Sequence, residues 1–61
     1  MIDWKTLDAG TPENGKKVIA EWKDNFSNNI YVSYAVWDKT KGWNLIGFDN
    51  IEFTVIRWAY D

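Results

Sequence analysis

Cysteine and histidine are both missing from these 61 residues, and proline occurs once. Without cysteine there are no disulfide staples and no thiolate metal sites. Without histidine, the commonest metal ligand and the side chain best suited to proton transfer near neutral pH are also gone. Basic charge is scarce as well: seven Lys and Arg stand against nine Asp and Glu, a net charge of −2. Binding to a phosphate backbone is driven by clustered Lys and Arg, so long nucleic acid is not an expected partner. Apolar runs are short. None approaches the about 20 residues of a membrane span, and MIDWKTLDAG lacks the basic and then apolar pattern of a secretory signal. No membrane partner is expected, and a cysteine-free chain suits the reducing cytoplasm.

Aromatic rings are what the chain has in quantity: five Trp, three Tyr and three Phe. A domain of this size buries only about 60% of its unfolded surface and is marginal without disulfides, metal, a partner chain or unusually large core residues. Rings burying roughly 150–250 Å² each supply the last device, and a second copy of the chain would supply another. The length leaves room for a single domain, residues 1–61, expected as a homo-oligomer.

Turn formers divide the chain. Gly10, Pro12, Asn14 and Gly15 mark residues 1–15 as an irregular lead-in with Trp4 as its large anchor. Thr11-Pro12-Glu13 has the form of a helical start that Gly15 would end at once. From Lys16 the pattern has period two: in KKVIAEWK, Val18, Ala20 and Trp22 alternate with Lys17, Ile19, Glu21 and Lys23, a half-buried strand. DNFSNN then reads as a hairpin connection. Ile30 to Asp38, IYVSYAVWD, is the strongest strand, apolar on both faces, which calls for cover on both sides or a partner on one.

The stretch WDKTKGW places a tight loop between Trp37 and Trp43, so the two rings are expected opposite each other across a hairpin. A third strand is expected from Trp43 to about Phe48, a turn at Asp49-Asn50, and a fourth strand from Phe53 to Tyr60. Strict alternation in that last strand puts Phe53, Val55, Arg57 and Ala59 on one face and Thr54, Ile56, Trp58 and Tyr60 on the other. The fold class expected over residues 16–60 is all-β, a four-stranded antiparallel meander curled like a small SH3-like barrel.

Two motifs invite chemistry and lose it on context. GTPENGKK, residues 10–17, follows the phosphate-loop pattern except at the last position, where Lys17 replaces the hydroxyl that would hold magnesium. Such a loop must follow a buried strand and open a helix, whereas here a polar segment precedes and a strand follows. Asn25-Phe26-Ser27 matches a glycosylation sequon, which has no meaning without a secretory route. Asp38, Asp49 and Glu52 sit in or beside turns, where carboxylates serve the backbone, and no acidic run resembles a calcium loop. An enzyme, a cofactor and a bound metal are therefore not expected.

Binding remains. Rings on an open sheet face stack on bases, and a nearby cation meets phosphate; Trp, Tyr and Arg clusters also dominate protein interfaces. The candidate binding residues are Arg57, Trp37, Trp43, Tyr31 and Lys41. Arg57 has a plainer alternative as a rim residue that blunts strand pairing. The partner is expected to be a host protein or a nucleotide-sized ligand.

Trp4, Pro12-Glu13-Asn14-Gly15-Lys16-Lys17-Val18, Trp43 and Trp58, taken together, resemble a family of short phage and prophage proteins with the pattern W…P-E-x-G-x-x-V…W…H-W-M-P-L-P. The chain differs in carrying Arg57 where that family has His, and Ala59-Tyr60-Asp61 in place of the proline-containing tail. What the resemblance implies is a setting, the cytoplasm of an infected or lysogenic bacterium. There, small proteins act stoichiometrically, blocking a host defence or metabolic protein or sequestering a signalling nucleotide.

Overall fold

The computed structural model describes residues 2–61. Five strands form one open antiparallel sheet: β1 (Lys5–Thr6), β2 (Lys17–Asp24), β3 (Ile30–Asp38), β4 (Gly42–Leu45) and β5 (Phe53–Ala59), with a 3₁₀ turn at Leu7–Ala9. The all-β class and the antiparallel pairing are as the residue pattern predicts. The strand order is β1-β5-β2-β3-β4, so the meander runs through β2, β3 and β4, and β5 returns to the far side of β2. Two residues of the lead-in join the sheet as β1, with Lys5 opposite Trp58 and Thr6 opposite Arg57.

The β2–β3 hairpin closes where Asp24 can serve the backbone twice. Its carboxylate accepts the Phe26 N–H at 2.8 Å, and its carbonyl accepts the Asn28 N–H at 2.7 Å. Asn28 takes φ 63°, a left-handed conformation that asparagine tolerates better than most residues. The β3–β4 hairpin repeats the device: one Asp38 carboxylate oxygen accepts the N–H groups of Thr40 at 2.7 Å and Lys41 at 3.1 Å, and Gly42 takes φ 87°. Strand β4 ends at Leu45, short of the expected Phe48, because Gly47 turns the chain at φ 89°. Phe48 instead lays its ring edge-on to Trp22 at 5.1 Å.

Register shifts between Glu21 and Trp22: Glu21 stands opposite Arg57, but Trp22 stands opposite Val55. Ile56 is the extra residue of a β-bulge, and it corrects the strict alternation expected for the last strand. Val55 and Trp58, three residues apart, now share the buried face while Arg57 points to the other. The core on that face is Val18, Ala20 and Trp22 from β2, Ala35 from β3, Leu45 from β4, and Val55 and Trp58 from β5. Both buried indoles are satisfied. Trp22 Nε1 donates to Ser33 Oγ at 2.9 Å and Trp58 Nε1 donates to the Gly10 carbonyl at 3.1 Å.

The lead-in is pinned to this core. Residues 10–13 have no regular structure, so the helical start expected at Thr11-Pro12-Glu13 does not form. Pro12 is buried, and the Glu13 N–H donates to Tyr60 Oη at 3.0 Å. The Gly15 N–H donates to the Trp37 carbonyl at 2.8 Å, Asn14 Oδ1 accepts the Lys39 N–H at 2.8 Å, and the Lys16 N–H closes a turn on the Glu13 carbonyl at 3.1 Å. A phosphate loop presents free amide hydrogens. Here those of Glu13, Gly15 and Lys16 are spent inside the fold.

Candidate binding surface

The five residues singled out from the sequence fall into three places. Trp37 and Trp43 are paired in register across the β3–β4 hairpin, half-buried, with ring centroids 5.3 Å apart and planes at 60°. Their strand positions put them on the core face, since Trp37 follows buried Ala35 by two residues. Lys41 lies exposed in the loop above them. Lys41, Trp43, Val36, Asp38 and Asn44 line a depression of about 440 Å³ at this end of the sheet. Tyr31 is six residues from Trp37, about 20 Å along the strand at 3.3–3.4 Å per residue. It stacks at a tilt on Trp22, centroids 5.0 Å apart. Arg57 is on the opposite face altogether.

Asp38 is held below the usual carboxylate range, first by the backbone N–H of Thr40, then by that of Lys41, with the Lys41 charge adding to both. Hydrogen bonds to the ionised form favour that form. A carboxylate fixed in this way organises a turn and carries a negative charge beside the depression.

The outer face of the sheet, away from the core, has a different character. Ile19 and Glu21 of β2 stand opposite Tyr34 and Val32 of β3, and Ile30 stands opposite Lys23. Val32 is 55% exposed, Ile30 50% and Tyr34 42%. Ile19, Val32, Ser33 and Tyr34 line a shallow depression of about 220 Å³. Polar groups frame the row. Lys17 Nζ sits 4.5 Å from the centre of the Tyr34 ring, and Tyr34 Oη donates to Asp61 at 3.4 Å. On the β5 side, Arg57 Nε and Nη2 donate to the two Glu21 carboxylate oxygens at 3.0 and 3.1 Å, and its guanidinium lies 4.5 Å from the centre of the Trp4 ring.

The geometry adds Trp4, Lys17, Ile19, Glu21, Val32 and Tyr34 to the surface. Alternation in β3 already put Val32 and Tyr34 on an apolar face, whereas Ile19 fell on the face of β2 that carries Lys17, Glu21 and Lys23. The Glu21–Arg57 pair has no local signal, because 36 residues separate the two and only the β2–β5 pairing brings them together. Among the described residues, no three carboxylates converge as a metal site would require, and no helix is long and apolar enough to cross a membrane. No family model matches the chain. Comparison with curated proteins and with solved structures likewise returns no match.

Proposed function

We propose that this protein is a non-catalytic binding module that acts stoichiometrically on a host protein, through the outer face of its sheet. The observation that carries the reading is the exposed row of Ile30, Val32 and Tyr34 beside Ile19, flanked by the Arg57–Glu21 pair and the Trp4 ring. An apolar centre with aromatic and Arg neighbours is the composition of protein interfaces. The setting, a phage-like protein engaging a host defence or metabolic protein in the bacterial cytoplasm, follows from the resemblance of Trp4, the PENGKKV segment, Trp43 and Trp58 to short phage proteins.

A nucleotide sponge is the second reading, and its place is the hairpin depression lined by Trp43 and Lys41. Two features weigh against it. Arg57 is already neutralised by both oxygens of Glu21, and the ionised Asp38 beside Lys41 repels phosphate. Affinity capture from host lysate with the wild type and with Tyr34→Glu, analysed for proteins and small molecules, separates the two. The proposal expects one host protein in about equal amount, lost on Tyr34→Glu, with stability changed by less than about 0.5 kcal/mol as for most exposed sites. An eluted nucleotide that survives Tyr34→Glu and is lost on Lys41→Glu would establish the sponge instead.

We propose the same face for self-association. Sedimentation at micromolar concentration is expected to show a dimer or larger species for the wild type and a monomer for Tyr34→Glu. A wild-type monomer at high concentration would remove self-association and leave the host protein as the partner.

A further inference from the structure

Strand β3 is longer than the strand beside it, and the excess is uncapped. Strand β4 pairs with Ala35 to Asp38, and one further hydrogen bond, Ile46 N–H to the Tyr34 carbonyl at 3.1 Å, completes that side. Backbone groups of a strand point alternately to its two neighbours. In and beside β3 the odd residues face β2: the Asn29 carbonyl accepts from Asp24 N–H, and the Trp37 carbonyl accepts from Gly15 N–H, which leads into β2. The even residues, like Tyr34, face the β4 side. The N–H and C=O of Ile30 and Val32 and the N–H of Tyr34 therefore point to an edge that no strand among the described residues occupies.

We infer that this edge takes an extended segment of the partner protein as an added strand. The inference rests on the reading of the protein as a binding module and names the form of what it binds. Only an extended backbone supplies donors and acceptors at the spacing these groups require. Natural sheets protect such edges with Lys, Pro or a bulge. Ile30 to Trp37 contains no charged residue and no proline, and the bulge of this sheet lies in β5. Side-chain seats lie on both sides of the edge. On the outer face is the depression lined by Ile19, Val32, Ser33 and Tyr34, and on the core face are the exposed rings of Tyr31 and Phe48. The segment that fits is uncharged over its contact and presents apolar side chains alternately up and down.

A second copy fits this edge less well. Each copy carries its own Ile46 beside Tyr34 on the same edge, so two copies placed edge to edge meet there and pair only over Ile30 to Val32. That is far short of the about 800 Å² per partner of a stable interface. A free segment meets only this chain's Ile46 and brings no second one.

Proline at position 32 isolates the backbone role, because the Val32 N–H faces outward and its loss breaks no bond of the sheet. The probe is a capped peptide of alternating threonine and valine with lysine at each end, added to the labelled protein while amide exchange is followed by NMR. Exchange at Val32 and Tyr34 is expected to slow by about tenfold or more at saturating peptide. The N-H of Ser33, already directed to β2, should be unaffected. Val32→Pro should stay folded and lose peptide binding, and Val32→Thr, which keeps the N–H, should retain it. Unchanged exchange at Val32 and Tyr34 overturns the inference. So does equal slowing by a peptide N-methylated at alternate residues, which would assign binding to side chains alone. Protection that grows with protein concentration in the absence of peptide would assign the edge to a second copy. Failure of the binding-module reading appears separately, as a lysate capture that Tyr34→Glu leaves unchanged.

Discussion

Arg57 is held in two ways at once, by a bidentate bond to Glu21 and by the face of Trp4. Its side chain is 41% exposed and that of Glu21 20%, so the ion pair is partly screened and contributes modestly. Arg57→Glu brings two carboxylates together. It is expected to cost about 1–2 kcal/mol in a urea titration, the range of a hydrogen bond to a charged group reduced by exposure. The exchanged pair Glu21→Arg with Arg57→Glu should recover part of that loss. Arg57 therefore cannot be tested as a free contact residue, and Tyr34 is the better probe of the outer face. Asp38 gives a pH signature. Its pKa is lower folded than unfolded, so its contribution is present above the unfolded value, about 3.9, and is lost as pH falls through the lower folded one. Asp38→Asn keeps the acceptor for Thr40 and Lys41 and removes the titration. The wild type should lose more stability than this variant as the pH is lowered below about 4.

At the scale of elements, the β3–β4 hairpin is the part most completely written in local sequence. Its loop and the Trp37–Trp43 register follow from Asp38, Gly42 and the alternation on either side, although β4 stops at Leu45. Edge-to-face rings add about 0.5–1.5 kcal/mol beyond burial, so a double-mutant cycle on Trp37→Ala and Trp43→Ala should show coupling of that size. Additive losses would mean that the rings do not interact. Strand β5 is the contrary case. Nothing in FTVIRWA marks Ile56 as a bulge, because the residue that fails to pair is chosen by fitting Val55 and Trp58 against Trp22 and Ala20 at the same time. Deleting Ile56 removes the unpaired residue and leaves Val55, Arg57 and Trp58 in plain alternation, so Val55 and Trp58 keep the core face opposite Trp22 and Ala20. The cooperative unfolding transition is expected to survive the deletion, and its loss would mean that the bulge itself is required.

For the molecule as a whole, the margin is narrow. At about 0.05–0.15 kcal/mol per residue, a chain of this size holds roughly 3–9 kcal/mol. Trp22 is 1% exposed and touches the rings of Tyr31, Phe48 and Phe53. Trp22→Ala, at about 3–5 kcal/mol, should leave the chain largely unfolded at 25 °C by circular dichroism. What the residues decided unaided was local: an all-β chain, the span of β3, both hairpin loops, the alternation that buries Val18, Ala20 and Trp22, and the exclusion of His- and Cys-based chemistry. Period-two patterning and turn formers act between neighbours in sequence, so they can be read without a fold. Tertiary structure decided which edge of the meander β5 joins, where its bulge falls, that Glu21 neutralises Arg57, and that the candidate residues lie on opposite faces. Each of these depends on contacts between residues far apart in the chain, where the choice is made by whichever arrangement buries both Trp22 and Trp58 with their indole N–H groups bonded.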